Sequence, residues 1–231
     1  MSAIVTGGTR GIGLGIARAL LADGRRVTIT GRDKRRVDEA VRQLAAPADR
    51  LAGEVVDVRE RQGVDRLVSG AVGRFGKVDV LVNNAGVGAF VEVADMTDEQ
   101  WDAVLGTNLT GVFYCTRAAI HEMRKTGGGW IINIASLAGR NYFAGGGAYC
   151  ASKAALIAFS ESVMQEVRFD DIRVSVVMPG SVATDFSGPS GTGAAPWKLT
   201  PDDVAQVVMD LLRHPSRSLP SKVEIRPAKT R

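Results

Sequence analysis

Only two cysteines and two histidines occur in the 231 residues. Cys115 and Cys150 are too few for a disulfide framework in a chain of this size. Both fall in helical patterns, where a thiol serves as a small core side chain. His121 and His214 lie far apart, and neither belongs to a Cys/His cluster with metal-ligand spacing, so no metal is expected. No apolar run reaches the ~18 residues of a membrane span. The start, Ala3-Ile4-Val5-Thr6, has no basic segment leading into a long apolar one, so no secretory signal is expected. Together these absences predict a reducing, cytoplasmic setting and no membrane partner. Charge of one sign is not concentrated either. The formal net charge is +4, but the basic residues are scattered rather than striped along one helix, which argues against a nucleic-acid partner. Their densest group, Arg32, Lys34, Arg35 and Arg36, is interrupted by Asp33. It reads either as a solvated helix start or as a phosphate pocket.

Hydrophobic residues make up 45% and charged residues 23%, and 27 glycines are present, many between apolar runs. That balance suits a globular chain long enough for one large domain with a sizeable core. Short β-branched runs predict strands at 3–6, 27–30, 52–56, 78–82, 130–134, 174–178 and 223–225. Most are continuously apolar, as strands buried on both faces are. Helical periodicity separates them: Ile12, Ile16, Ala19 and Leu20 mark one apolar face, and Val64, Leu67, Val68 and Ala71 another. Further helices are expected from 98 to about 125, from 147 to about 169, and over 201–212. The last opens on Thr200-Pro201-Asp202-Asp203, an N-cap followed by proline and acids in the first turn. Strand–helix alternation predicts an α/β chain with a parallel sheet and right-handed crossovers. Residues 181–199, rich in Gly, Ser, Pro and Ala, break the alternation after a strand's C-terminal end, where ligands bind in such sheets.

Two motifs carry chemistry. The first strand runs into Thr6-Gly7-Gly8-Thr9-Arg10-Gly11-Ile12-Gly13, and a helix follows. Glycines allow a tight turn and a close backbone approach to a diphosphate, and the helix start offers free N–H groups. The spacing is G-x-x-x-G-x-G, and no Gly-Lys-Ser/Thr follows, which argues against a triphosphate-binding P-loop. At the end of the second strand Gly31 and Arg32 stand where an acid commonly binds the adenosine 2′-hydroxyl. With Arg10 in the turn, this favours a 2′-phosphate and therefore NADP(H), with NAD(H) still possible. The second motif is Tyr149 and Lys153, four residues apart and so neighbours on one helix face. An ammonium near a phenol would lower its pKa from ~10, making Tyr149 a proton donor and acceptor near neutral pH. Ser136 lies a short connection upstream.

These features resemble the compact branch of the short-chain dehydrogenase/reductase family, with matching elements over nearly the whole chain. The turn at 6–13 matches the family's glycine motif, which assigns cofactor contacts to Gly7, Thr9, Arg10, Gly11, Ile12 and Gly13, joined by Arg32. Asp57-Val58 matches the adenine contact, and Asn83-Asn84-Ala85-Gly86 the motif closing the fourth strand, with Asn84, Ala85 and Gly86 at the cofactor. Pro179, Gly180, Val182 and Thr184 match the segment that holds the nicotinamide. Asn108, Ser136, Tyr149 and Lys153 match the catalytic tetrad in order and spacing.

The resemblance implies a single doubly wound Rossmann-type domain with seven parallel strands. It also implies a homotetramer or homodimer, paired through the long helices at 98–125 and 147–169. In the implied chemistry, Tyr149 exchanges a proton with the substrate oxygen. Lys153 lowers the Tyr149 pKa and, like Tyr149, contacts the cofactor. Ser136 holds the substrate oxygen, and Asn108 positions a relay water. The expected activity is NADP-dependent hydride transfer with a ketone or secondary alcohol, a 3-oxoacyl thioester being the first subclass to consider. Substrate choice would rest with Phe143, the region around Phe90, and residues 182–197. There Phe186 and Trp197 either touch substrate or pack the loop, and Gly145-Gly146-Gly147 either adds flexibility or leaves room for substrate. A nucleotide-sugar epimerase uses Tyr-x-x-x-Lys too, with a different glycine spacing. The rival of another class is a dinucleotide-binding redox sensor or scaffold without turnover.

Overall fold

The β-branched runs all become strands of one sheet in the computed structural model, which describes residues 1–187 and 195–229. The strands are β1 (Ser2–Val5), β2 (Arg26–Gly31), β3 (Leu51–Val55), β4 (Val80–Asn83), β5 (Gly129–Ile134), β6 (Ile172–Pro179) and β7 (Lys222–Ile225). They pair in parallel in the order β3-β2-β1-β4-β5-β6-β7. Helices α1 (Gly11–Ala22), α2 (Lys34–Leu44), α3 (Arg61–Phe75), α4 (Asp98–Leu105), α5 (Gly111–Lys125), α6 (Gly147–Val167) and α7 (Pro201–Arg213) make the crossovers and cover the sheet.

The apolar runs make sense as two-faced burial. Ala3 and Val5 of β1, Val80 and Val82 of β4, and Trp130 and Ile132 of β5 pack in one layer with Ile16 and Leu20 of α1 and Val204 and Val208 of α7. The alternate residues Ile4, Leu81 and Ile131 face the other layer, against Val64 and Leu67 of α3, Ala119 of α5 and Val163 of α6. Burying each such side chain contributes roughly 1.5–3 kcal/mol. The N-terminus of α7 carries the predicted cap. Thr200 Oγ1 accepts from Asp203 N at 3.3 Å, and Thr200 N donates to Asp203 Oδ2 at 2.7 Å, a reciprocal arrangement of the kind that contributes about 1 kcal/mol.

One expectation needs correction. The helix predicted from 98 to about 125 is not continuous: Gly106–Thr110 form a π-helical turn between α4 and α5. Its cause is tertiary. Asn108 turns inward to bond the main chain of Val87, and Gly111 lies so close to Val58 that a Cβ there would come within 2.7 Å of Val58 Cγ2. The segment predicted to be irregular over 181–199 has only a short 3-10 turn, Asp185–Ser187, among its described residues, and it is closed at its base. Val182 bridges Leu199 in parallel, with Ala183 N donating to Leu199 O at 2.8 Å and Leu199 N to Ser181 O at 3.0 Å. Residues 188–194 of that expected substrate loop lie outside the described residues.

Between β1 and β4 the strand order reverses. The chain leaves β1 for β2 and β3, then returns to the other side of β1. The crossovers diverge there and open a crevice beyond the strands' C-terminal ends.

Candidate active site

The crevice is a cavity of about 1260 Å³, lined at one end by Arg10, Arg32 and Asp57 and at the other by Ser136, Tyr149 and Lys153. Of the residues expected from sequence, Gly7, Thr9, Arg10, Gly11, Ile12, Arg32, Asp57, Val58, Asn84, Ala85, Gly86, Ser136, Tyr149, Lys153, Pro179, Gly180, Val182 and Thr184 all line it. Gly13 and Asn108 do not; both support the wall from behind.

The glycine turn is clamped to the end of β4. Thr6 Oγ1 accepts from Asn84 N and Ala85 N, each at 3.0 Å, while Asn84 Nδ2 donates to the carbonyls of Thr6 and Gly7, also at 3.0 Å. Gly7 takes φ +62° and Gly11 φ +53°, in the left-handed region that glycine enters without strain. A Cβ on Gly13 would overlap the Gly7 carbonyl oxygen and Asn84 Nδ2. The first turn of α1 has no side-chain cap and no acidic residue, so its N–H groups and the positive end of the helix dipole remain available to an anion. Asn83, one residue earlier, turns the other way. Its Nδ2 donates to Thr116 Oγ1 at 3.1 Å and to Asn133 Oδ1 at 2.8 Å, tying β4 to α5 and β5.

At the basic end the structure divides the run 32–36. Lys34 pairs with Asp38 at 2.7 Å and Arg35 with Glu39 at 3.2 Å along the exposed face of α2. Arg32 and Arg36 line the cavity instead, and Asp33 caps α2 by accepting from Arg36 N at 3.2 Å. Arg59 was not picked out from sequence. It grips Asp57 with Nε at 3.1 Å from Oδ1 and Nη2 at 2.6 Å from Oδ2. This guanidinium holds the Asp57 carboxyl below its ordinary range, with Arg32 adding to the effect. The only signal in the sequence was an arginine two residues after the aspartate.

At the other end, α6 presents Tyr149 in its first turn and Lys153 one turn later. Ser136, at the end of β5, accepts from Ala138 N at 3.1 Å and lines the cavity beside Tyr149. Ser136 therefore caps a short turn in the same cavity as the phenol. Lys153 is buried, and its Nζ donates to the Ile134 carbonyl at 2.9 Å. Burial brings its pKa down to about 8. The Tyr149 pKa moves up, because burial outweighs the lowering influence of the Ser136 hydroxyl. The predicted lowering of the Tyr149 pKa by Lys153 is thus absent in the protein alone. The ammonium bonds a carbonyl and lies 5.8 Å from the centroid of the phenol ring.

The Asn108 side chain is held by protein groups. Its Oδ1 accepts from Val87 N at 2.9 Å, and its Nδ2 donates to Val87 O at 2.9 Å and Ser152 Oγ at 3.0 Å. Both amide hydrogens are therefore spent on protein groups. In this arrangement Asn108 positions the loop after β4.

The family described as short chain dehydrogenase matches residues 1–194. The chain belongs to this family. It is 40% identical over 186 residues to dehydrogenase/reductase SDR family member 4 of Oryctolagus cuniculus, covering 80% of this chain and 72% of that protein. It is 36% identical over 217 residues to a 3-oxoacyl-[acyl-carrier-protein] reductase of Chlamydia pneumoniae, covering 90% and 88%. Its fold is similar to the closed form of a serine dehydrogenase complexed with NADP+, with TM-score 0.90, 32% identity, and 97% and 94% of the two chains covered. The chain is thus a short-chain oxidoreductase with a Rossmann-type sheet. Among the described residues no cluster of His, Cys, Asp and Glu is suited to a metal ion, and no helix is long and apolar enough to cross a membrane.

A dinucleotide fits what is present. The glycine turn has no room for side chains, the α1 N-terminus is uncapped, and arginines line the end remote from Tyr149.

Proposed function

We propose that this short-chain dehydrogenase/reductase transfers a hydride between NADP(H), in preference to NAD(H), and a ketone or secondary alcohol. The observation that carries this reading is one cavity lined by Ser136, Tyr149 and Lys153 at one end and by Arg10, Arg32 and Arg36 at the other. Three guanidinium groups suit a 2′-phosphate, and the similar serine dehydrogenase structure is a complex with NADP+. The pyrophosphate would rest on the α1 N-terminus, and Asp57 and Val58 would flank the adenine. Lys153, with one hydrogen on Ile134 O, keeps others for the nicotinamide ribose. Pro179, Gly180, Val182 and Thr184 would close the nicotinamide end.

When bound, the cofactor supplies or accepts the hydride. Tyr149 supplies the matching proton. Its raised pKa keeps the phenol protonated at neutral pH, ready to donate to the oxygen of a carbonyl being reduced. Ser136, in the same cavity as the phenol, would stabilise negative charge developing on that oxygen. Asn108 keeps the Val87 main chain in place behind the cofactor. A 3-oxoacyl thioester is the first substrate to try, given the similarity to a 3-oxoacyl-[acyl-carrier-protein] reductase. Against the rival of a sensor or scaffold without turnover stands the full set of Ser136, Tyr149 and Lys153 in one crevice.

The whole chain acts as one cytoplasmic catalytic domain, with 181–199 as its substrate loop. It works as a homodimer or homotetramer. Trp101 of α4 and Phe113 of α5 are exposed, and Phe113 packs at 6.4 Å between centroids from Phe159 of α6. That patch lies on the helices expected to pair, and light scattering showing a monomer would contradict it. The functional reading is tested by following reduction of 3-oxo esters with NADPH and NADH in parallel. NADPH-linked turnover with kcat/KM well above that for NADH is expected, and equal or better values with NADH contradict the cofactor preference.

A further inference from the structure

Tyr149 stands among phenylalanines contributed by three separate segments. Phe90, from the loop after β4, lies 5.5 Å from Tyr149 between centroids at an interplanar angle of 66°. Phe186, at the start of the expected substrate loop, also lies 5.5 Å from Tyr149, and 6.3 Å from Phe90. These three rings form a closed triangle with the near-edge geometry that aromatic pairs prefer. Phe143 extends it outward, 6.1 Å from Phe90.

Glycines give these rings their seats. A Cβ on Gly88 would lie 2.7 Å from Phe90 Cζ and 3.2 Å from Phe186 Cε1, and a Cβ on Gly146 would lie 2.6 Å from Phe143 Cε2. The flexible-looking glycine run before Tyr149 therefore makes room for an aromatic wall. Phe90 is 45% exposed and Phe143 49%, and both line the same cavity as Tyr149. Ring surface left open inside a cavity is unburied apolar area awaiting a ligand. Among the described residues no Lys or Arg lies over the Phe90, Phe143 or Phe186 ring. The one cation over Tyr149 is Lys153, engaged with Ile134 O.

Resting on the function proposed above, we infer that Phe90, Phe143 and Phe186 select carbonyl substrates with a flat aromatic substituent directly on the carbonyl carbon. Such a ring enters edge-to-face contacts that a flexible alkyl chain cannot make, and it loses less conformational freedom on binding. The other arm of the carbonyl, where an ester or thioester would sit, is left to the rest of the cavity.

The test uses two 3-oxo esters whose acyl parts have equal carbon count, ethyl 3-oxo-3-phenylpropanoate and ethyl 3-oxononanoate, reduced with NADPH. The wild-type protein should favour the phenyl ester in kcat/KM by roughly tenfold or more, the scale on which apolar pockets discriminate. Phe90→Ala and Phe186→Ala should each shrink that ratio severalfold, chiefly through KM for the phenyl ester. NADPH titration by fluorescence, with an unchanged Kd, confirms that each variant is folded. Equal use of the two esters, or a ratio that neither substitution moves, overturns the aromatic selection while leaving the oxidoreductase reading intact. NADPH binding without turnover of either ester overturns the aromatic selection, and no turnover across a panel of ketones and secondary alcohols overturns the proposed hydride transfer as well.

Discussion

Replacing Lys153 by methionine should make the nucleotide-free protein more stable at neutral pH. An ordinary lysine titrates near 10.5, and burial brings Lys153 down to about 8. That difference corresponds to about 3 kcal/mol against the folded state while the side chain is charged. Methionine removes the charge and fills a similar volume. It also strips the Ile134 carbonyl of its donor, which costs about 1 kcal/mol. The net gain at pH 7 is therefore about 2 kcal/mol, or roughly 4–8 °C in Tm for a chain of this length. The sign must change with pH. Below about 8 the lysine is charged in both states and the penalty is complete. Between about 8 and 10.5 the unfolded chain binds a proton that the folded state does not, so wild-type stability rises with pH. Above 10.5 only the lost hydrogen bond remains, and the variant becomes the less stable by about 1 kcal/mol. Urea denaturation of both proteins at pH 7 and pH 10.5, without nucleotide, measures this. A variant destabilised equally at both values would refute the claim that the buried ammonium is a burden on the fold.

Two other substitutions test the supports of the crevice. Gly13→Ala places a Cβ against the Gly7 carbonyl and Asn84 Nδ2; thermal melts should show a loss of about 1–3 kcal/mol, and NADPH should no longer raise the Tm. Asn108→Ala leaves both main-chain groups of Val87 without their side-chain partner; a loss of about 2–3 kcal/mol in urea is expected, with kcat falling more than NADPH affinity.

What could be read from sequence was mostly local. The turn at 6–13 and the Tyr149–Lys153 spacing are short-range patterns, and both stand where a strand–helix alternation places them. The arginine run was only half legible. Helix geometry sends Lys34 and Arg35 to acids one turn away and leaves Arg32 and Arg36 at the cavity, but the direction of that split depends on where Asp33 caps the helix. The π-helical turn was not legible, because Asn108 answers to Val87 and Gly111 to Val58 across the fold. The Tyr149 pKa was misjudged for the same kind of reason: spacing puts the ammonium nearby, whereas burial, which is set by the tertiary structure, decides the direction. The aromatic wall joins Phe90, Phe143 and Phe186 from three loops, so it was visible only as scattered residues.

The proposed role of Tyr149 is that of proton donor in a cavity whose other end would bind the dinucleotide independently. Tyr149→Phe removes the phenol hydroxyl and leaves the ring among Phe90 and Phe186. NADPH-linked reduction of a 3-oxo ester should fall by roughly 10²–10⁴-fold, while NADPH binds within about threefold of wild type, well under the ~1.4 kcal/mol of a tenfold change. Turnover close to wild type in the Tyr149→Phe variant would contradict that role.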